Sequence, residues 1–434
     1  MNLVKVGSDV MKACVYTLGC KVNTYESEYI MLKLIEAGYD VVNNLNETSD
    51  VYIINTCTVT NTADIKSRKI IHRIKKNNPN ACIVALGCYV EDHPNDDLGI
   101  DIYIGNKDKS KIIELLDLHF TNKESIRRVG LDKNKFEDMY ITDFKNRCRA
   151  FVKVQDGCEN FCSYCIIPYV RGRCRSKDLE IVVSEVIALV NKGFKEIVLT
   201  GIHTGHYGVD LNTNFATLLK ELVKIEGLKR LRISSVEITE LNDEVLDVIK
   251  NSNIIVDHLH IPLQAGSDRV LKLMNRKYDL KYFEDKLKEI RKIRPDISIS
   301  TDIIVGFPNE SEDDFLETIE NTHKFGFSKI HVFPYSDRKG TVASTMEGHL
   351  DGNIKKERAR RLLEVSHELE RDYANKFIGK SLEVLFEEVK DGVSIGHTSN
   401  YLKVKVKGSV SSNTFKNVKI KSYLLDSLIG EVDE

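Results

Sequence analysis

The chain has 434 residues, of which 42% are hydrophobic and 29% are charged, and its formal net charge is -2. This composition is ordinary for a folded globular protein, and the length predicts about three domains. A nearly neutral chain excludes general attraction to a polyanion, so a nucleic acid would have to bind local basic patches. The longest apolar runs reach about ten residues, too short to span a bilayer, and the N-terminal segment has no secretory signal.

We therefore expect a cytoplasmic protein without a membrane segment, in which thiols stay reduced. Its ten cysteines are then expected to be ligands, catalysts or core residues and not disulfides. Residues 1–11 precede the first convincing strand, which begins at Lys12, and are predicted to be a disordered leader.

Three predicted strands of the N-terminal third each end in a cysteine. They lie in "KACVYTLGC", "DVYIINTC" and "ACIVALGC" and end at Cys20, Cys57 and Cys88. Helical patterns between them predict a parallel α/β sheet of flavodoxin-like type over residues 12–125, with ligands at the carboxyl ends of the strands. The three cysteines form either a shared metal site there or part of the core, as Cys14 and Cys82 do inside strands.

The segment "CENFCSYC" places Cys158, Cys162 and Cys165 close together. Structural zinc with Cys174 or Cys148 as fourth ligand is one interpretation, but zinc sites usually use paired units such as C-x2-C. A ferredoxin cluster would need four cysteines in the run. Three thiolates would hold three irons of a [4Fe-4S] cluster and leave one iron open. The C-x3-C-x2-C spacing resembles that of the radical S-adenosylmethionine (SAM) enzymes. This resemblance implies that SAM occupies the open iron and is cleaved to a 5'-deoxyadenosyl radical.

Six predicted strands, with helices between them, indicate a partial (β/α)6 barrel over residues 145–350. Barrel enzymes place their chemistry at the carboxyl ends of the strands. The polar residues at these ends are Thr200, Glu237, Gln264, Ser267 and Asp302. Each of them also fits the simpler role of a helix cap or loop residue.

The last part of the chain is predicted to be a small, basic β-barrel. A helical pattern over 353–378 supplies a connecting helix, assigned to 351–372, and period-two alternation predicts the barrel over 373–434. Along one of its strands, every second residue is a lysine: Lys403, Lys405 and Lys407. These lysines form either a phosphate-binding stripe or a solvated strand edge.

Two further basic segments lie beside the cysteines. Arg171, Arg173 and Arg175 follow the cysteine loop of the barrel, and residues 66–76 form a basic helix after Cys57. Local basic patches on a nearly neutral chain favour an RNA substrate, whose unpaired base would be extruded from its loop.

Residues 12–434 together resemble the methylthiotransferases of the radical SAM class. "TLGCKVNTYESE", "NTCTVTNTADIKSR" and "LGCYVE" are similar to the segments that hold a second [4Fe-4S] cluster in that family, which implies Cys20, Cys57 and Cys88 as its ligands. "SDRKGTVA" is similar to a loop that follows the last barrel strand, and the C-terminal barrel resembles a TRAM RNA-binding domain. The resemblance implies that the second cluster carries the sulfur, which one SAM methylates.

The same resemblance assigns the cofactors, which are two [4Fe-4S] clusters and SAM. It implies that Tyr164 packs near the adenine of SAM. The residues implied around its ribose and methionine groups are Thr200, Glu237, Gln264, Ser267 and Asp302. One difference from many relatives is Ala265 in "QAGS", where they have serine.

"GCKVN", "ADIKSRK" and "IIPYVRGRCRS" are most similar to the enzymes that add a methylthio group to carbon 2 of N6-threonylcarbamoyladenosine next to the anticodon of tRNA. The implied partners are tRNA and an electron donor such as flavodoxin or ferredoxin, and the chain is expected to be a monomer. Three alternatives remain: an isopentenyladenosine methylthiotransferase, a ribosomal-protein methylthiotransferase, and a zinc-dependent RNA-binding protein without enzymatic activity.

Overall fold

The computed structural model describes residues 10–131, 135–144 and 148–433. Most of the predicted leader lies outside the described residues, and the first strand begins at Lys12 as expected. Among the described residues, no helix is both long enough and apolar enough to cross a membrane.

The N-terminal region is a six-stranded parallel sheet with helices on both faces. Its elements are β1 (Lys12–Thr17), α1 (Lys21–Glu36), β2 (Asp40–Val42), β3 (Val51–Thr56), α2 (Asn61–Asn77), β4 (Cys82–Gly87), α3 (Cys88–Asp92), β5 (Ile102–Ile104), α4 (Ile112–Asn122) and β6 (Ile126–Arg128). The strand order is β2-β1-β3-β4-β5-β6. Strands β3 and β4 are buried along their whole length, as expected for a sheet covered on both faces. The predicted flavodoxin-like sheet is confirmed.

The middle region is the predicted partial barrel of six parallel strands. Its elements are β7 (Arg149–Lys153), β8 (Gln155–Asp156), α5 (Ile167–Arg171), β9 (Arg175–Ser176), α6 (Leu179–Asn191), β10 (Glu196–Thr200), α7 (Phe215–Leu222), β11 (Arg230–Ile233), α8 (Asp243–Asn251), β12 (His258–His260), α9 (Asp268–Leu273), α10 (Leu280–Ile293), β13 (Ser298–Val305), α11 (Glu312–Phe325) and β14 (Lys329–Pro334). The sheets β11-β10-β7 and β12-β13-β14 are joined by parallel bridges from Leu231 to Ile255 and from Ser235 to His260. The barrel strands therefore follow one another in chain order, apart from the short β8 and β9 pair.

A long helix leads to the closed C-terminal barrel. The elements are α12 (Gly352–Asn375), β15 (Ser381–Lys390), β16 (Val393–Thr398), β17 (Lys403–Lys407), β18 (Thr414–Leu424) and β19 (Ser427–Val432). The barrel order is β15-β16-β17-β19-β18. Helix α12 ends three residues before the predicted 378, and Tyr373 and Phe377 at its end pack into the core of the barrel.

The N-terminal sheet and the middle barrel share one hydrophobic core. Tyr25 and Ile30 of α1 belong to the same buried cluster as Val152 of β7 and Val186 of α6. The Tyr25 hydroxyl also lies 2.7 Å from the carboxylate of Glu185 on α6. The packing of α1 against the middle barrel fixes the two regions relative to each other.

Candidate iron-sulfur and SAM site

A cavity of about 530 Å³ lies between the carboxyl ends of the N-terminal sheet and those of the barrel strands. Its lining includes the six cysteines that the sequence singled out, in two groups. We call Cys158, Cys162 and Cys165 the barrel triplet, and Cys20, Cys57 and Cys88 the N-terminal triplet. The fold thus brings cysteines from two domains to one cavity.

The barrel triplet occupies the loop between β8 and α5. Gly157 opens this loop with φ +77°, and a Cβ there would lie 1.9 Å from the carbonyl oxygen of Arg173. Only glycine tolerates both the left-handed conformation and this close approach. A backbone hydrogen bond from Cys158 N to Gly172 O, 3.0 Å long, ties the start of the loop to the segment after α5. These contacts hold the cysteine side chains at the cavity.

The N-terminal triplet lies where three strands of the sheet end. Cys20 is the N-cap of α1, Cys57 follows β3, and Cys88 begins α3 after β4. The strand order reverses between β1 and β3, which is where doubly wound sheets bind ligands. Gly19 has φ +103°, and a Cβ on it would lie 3.0 Å from the Cβ of Cys57. The absence of a side chain at Gly19 therefore allows the two cysteine loops to approach.

The sulfur atoms of neither triplet have the close spacing of a single-ion site. Around tetrahedral zinc, with Zn–S distances of about 2.3 Å, ligand atoms lie roughly 3.8 Å apart. Among the described residues, neither triplet has its three sulfur atoms within 4.8 Å of one another. One group that does meet this spacing, Cys174 with His203 and His206, contains no member of either triplet. Each triplet has the thiolate donors that iron-sulfur clusters use.

The two cysteines considered as a fourth zinc ligand have other neighbours. Cys148 Sγ lies 2.9 Å from Ser412 Oγ, in the contact with the C-terminal barrel. Cys174 is buried, with its Sγ 3.7 Å from Nδ1 of His206.

Burial makes the cysteine thiols hard to ionise in the free protein. It raises the pKa of Cys57 to about 11 and that of Cys165 to about 12. Iron binds the thiolate form, so metal binding must overcome this cost. The backbone N–H of Val59 and, to a smaller extent, the guanidinium of Arg171 oppose the effect of burial at Cys57 by lowering the pKa of its thiol.

Arg171 is fully buried and connects the barrel to the N-terminal triplet. Its Nη1 donates to Glu26 Oε1 at 3.0 Å and to Asp156 Oδ1 at 3.1 Å. Its Nη2 donates to Asn23 Oδ1 at 2.7 Å, and its Nε donates to Cys88 Sγ at 3.3 Å. One side chain thus binds two carboxylates and a sulfur of the N-terminal triplet.

Two lysines complete this buried ionic network. Lys153 Nζ lies 2.9 Å from Glu26 and 2.6 Å from Asp156, and Lys109 Nζ lies 2.5 Å from Glu26. Burial alone would raise the pKa of Glu26, but Arg171, Lys109 and Lys153 hold it well below its usual range. The carboxylates are therefore ionised and paired, as buried charges must be.

The structure contradicts the expectation that Arg171 and Arg175 contact RNA. Their exposed fractions are 0% and 6%, because both turn inward towards Asp156. Arg173 lies between them and is 76% exposed, with its Nε 3.8 Å from Glu159. Of this arginine triplet, only Arg173 remains a candidate for RNA contact.

The predicted lysine stripe of the C-terminal barrel is partly neutralised. Lys403 and Lys405 on β17 lie 3.0 Å and 3.5 Å from the carboxylate of Asp426. Lys407, at the end of the same strand, is exposed. The sequence showed no acid near these lysines because Asp426 comes from the turn before β19, which the barrel brings beside β17.

Five of the six residues implied as SAM contacts line the cavity: Tyr164, Thr200, Glu237, Gln264 and Asp302. Ser267 is not among the lining residues. Its hydroxyl is buried and donates to Asp314 Oδ1 at 2.8 Å, which ties the start of α9 to α11. The structure thus places Ser267 in a packing contact and not at the cavity.

Sequence reasoning missed several polar residues around the triplets. Arg276 forms a close ion pair with Glu237, and its Nη1 lies 3.2 Å from Cys162 Sγ. Nothing in the sequence around Arg276 indicated that it would lie beside the barrel triplet. Asn23 could have been found, because it follows Cys20 by three residues on a predicted helix, a spacing that places both on one face. Its Oδ1 lies 3.8 Å from Cys20 Sγ.

Comparisons with known proteins agree with this geometry. Residues 152–321 match the family described as the Radical SAM superfamily, and residues 12–101 match Uncharacterized protein family UPF0004. In the solved structures, the fold is similar to that of the radical SAM methyltransferase TsrM from Kitasatospora setae, with a TM-score of 0.57, 13% identity and 77% of each chain covered. The fold and the barrel triplet define a radical SAM enzyme, which uses a [4Fe-4S] cluster and SAM.

Curated relatives identify the family within the radical SAM enzymes to which the chain belongs. The chain is 44% identical to threonylcarbamoyladenosine tRNA methylthiotransferase MtaB of Bacillus subtilis (strain 168), over 94% of this chain and 92% of that protein. It is 41% identical to the protein of the same name from Aquifex aeolicus, over 92% and 97%. It is 35% identical to tRNA-2-methylthio-N(6)-dimethylallyladenosine synthase of Acetivibrio thermocellus, over 96% and 90%. The chain belongs to the radical SAM methylthiotransferase family.

Proposed function

We propose that this enzyme adds a methylthio group to carbon 2 of N6-threonylcarbamoyladenosine next to the anticodon of tRNA. The observation that carries the proposal is that two cysteine triplets, each suited to a cluster with an open iron, line the same cavity. The relatives with this substrate in their names, at 44% and 41% identity, support the choice of nucleoside.

We assign the SAM-cleaving cluster to the barrel triplet and a second [4Fe-4S] cluster to the N-terminal triplet. When bound, the clusters and SAM would supply the sulfur, the methyl group and the radical: one SAM would methylate the sulfur and become S-adenosylhomocysteine, and a second, given one electron from an external donor, would yield methionine and the 5'-deoxyadenosyl radical. C2–H would become C2–S–CH3, the hydrogen would leave on 5'-deoxyadenosine, and the electron released as the C–S bond forms would be taken back by the clusters. Carbon 2 of adenine is a poor target for any side chain, so the protein's part is binding and orientation.

The residues of the barrel provide that orientation. Thr200, Gln264 and Asp302 present polar groups to the cavity and are proposed to bind the ribose and methionine groups of SAM. Arg276 pairs with Glu237 and so fixes the carboxylate beside the barrel triplet. Gln264 has φ +69° and is held by backbone hydrogen bonds to Asp302 and Ile304, which fix its side chain at the cavity.

Exposed basic side chains are available for the tRNA backbone. On α2 they are Lys66, Lys69, Arg73, Lys75 and Lys76. Arg173 beside the barrel triplet and Lys407 on the C-terminal barrel add to them. Contacts of this kind fix the register of an RNA and make binding strongly dependent on salt.

The test is mass spectrometry of tRNA nucleosides from cells with and without the gene. Loss of only the methylthio form of threonylcarbamoyladenosine is the expected result. If methylthio-isopentenyladenosine disappears instead, the substrate assignment is wrong and the chemistry stands. If no tRNA nucleoside changes, a ribosomal-protein substrate replaces the proposal.

A further inference from the structure

The basic side chains that line the cavity of the two triplets differ in whether a carboxylate pairs with them. Four basic side chains face it: Lys21, Arg171, His203 and Arg276. Three of them have a carboxylate partner, since Arg171 binds Glu26 and Asp156, His203 binds Glu240, and Arg276 binds Glu237. Lys21 is partly open to solvent and has no carboxylate within 4 Å among the described residues. The cavity therefore holds one lysine whose charge is free to bind a ligand.

The position of Lys21 is fixed by the N-terminal triplet. It is the first residue of α1 and directly follows Cys20. The loop before it contains Gly19, where a Cβ would lie 3.0 Å from that of Cys57. A group bound by the Lys21 side chain would therefore lie close to the triplet assigned to sulfur transfer.

Lys21 also joins the catalytic cavity to a second one. A neighbouring cavity of about 280 Å³ is bounded by the barrel histidines and the C-terminal barrel, and of the described residues only Lys21 lines both. In the second cavity, the ring of Tyr401 lies beside His258, with ring centroids 5.0 Å apart, and beneath Arg232 at 4.4 Å. The acids that line the second cavity, Glu370 and Asp426, pair with Lys329 and Lys403. Lys21 and the aromatic rings are therefore left to meet an anionic substituent on a nucleobase.

The two candidate nucleosides differ in the group that would meet this lysine. The threonylcarbamoyl group ends in a carboxylate, whereas the dimethylallyl group is a hydrocarbon. A carboxylate that moves from water into a cavity needs a cation to offset the cost of its desolvation. The ammonium group of Lys21 would gain no such interaction from a hydrocarbon. We propose that Lys21 binds the threonyl carboxylate of the substrate and so selects threonylcarbamoyladenosine over dimethylallyladenosine. This inference rests on the proposed function and adds the residue that determines specificity.

The test uses the reconstituted holoenzyme and anticodon stem-loop RNAs that carry threonylcarbamoyladenosine, either as the free acid or as its methyl ester. The ester keeps the size of the group and removes its charge. For the wild type, kcat/KM for methylthio product should fall by about 10- to 100-fold from acid to ester, mainly through KM, because a charge-assisted hydrogen bond is lost. Lys21→Gln should show the same fall on the acid and no further fall on the ester, whereas Lys21→Arg should retain most activity.

Lys33→Gln is the matched control, since it removes the same charge from the same helix, at a position that lines neither cavity and where Lys33 pairs with Glu36. Iron content and SAM cleavage should be unchanged in every variant. Equal wild-type rates on acid and ester would overturn the inference, even if Lys21→Gln loses iron. So would a Lys21→Gln enzyme that still prefers the acid. A wild-type enzyme inactive on the acid would overturn the proposed function itself, and the inference with it.

Discussion

Replacement of Arg171 by methionine should weaken the fold and the N-terminal triplet together. The change removes the cation that binds Glu26 at 3.0 Å and Asp156 at 3.1 Å, inside a fully buried network. Loss of one partner of a buried ion pair costs about 3 to 5 kcal/mol, because the remaining charge stays desolvated. Lys109 and Lys153 still pair with these carboxylates, so we expect about 3 kcal/mol, at the lower end of that range.

Such a loss corresponds to a fall of about 6 to 12 °C in melting temperature for a domain of this size. Thermal melts and iron analysis of reconstituted protein are the assays. Because Arg171 also donates to Cys88 Sγ, about half of the iron should be lost while SAM cleavage at the barrel triplet persists. Arg173→Met is the control, since this arginine is 76% exposed and should change neither quantity. An Arg171→Met protein with wild-type melting temperature and iron content would refute the role given to the network.

Three further outcomes follow from the site and the C-terminal barrel. Cys165→Ala should abolish SAM cleavage, whereas Cys57→Ala should keep it and stop methylthio transfer; a Cys57 variant that still transfers sulfur would contradict the division between the triplets. Gly19→Ala should lower the free energy of unfolding by about 1 to 3 kcal/mol and reduce iron content, because its Cβ would sit 3.0 Å from that of Cys57 at φ +103°; unchanged iron would count against the packing argument. Asp426→Asn should tighten tRNA binding and steepen its salt dependence by about one to two units of slope, because Lys403 and Lys405 are released for phosphates. An unchanged slope in binding titrations would show that the β17 face of the C-terminal barrel does not contact tRNA.

Patterns local in the chain were enough to predict the architecture and the position of the N-terminal triplet at one edge of the sheet. Apolar strands alternating with helices predicted the parallel sheet and the barrel, and a cysteine after each of three strands placed the N-terminal triplet at one sheet edge. The same local reasoning failed for Arg171, whose partner Glu26 lies 145 positions away in the chain. It also failed for Ser267, whose partner Asp314 lies 47 positions away. Whether a polar side chain faces solvent, a ligand or a buried partner depends on such distant contacts.

The contacts of the middle barrel with the N-terminal triplet hold the two cysteine groups in a fixed arrangement. Every loop that holds a cysteine of the N-terminal triplet is bound by an arginine from the barrel region. Arg171 reaches Asn23 beside Cys20 and the sulfur of Cys88. Arg338, buried in the loop after β14, donates to Thr58 next to Cys57 and pairs with Asp64 and Asp92 in the helices that follow Cys57 and Cys88. Because these ion pairs are buried, salt screens them little, and the distance between the two triplets is fixed by the fold. The arginines that bind the cysteine loops therefore hold both triplets at one cavity, as the proposed transfer between them requires.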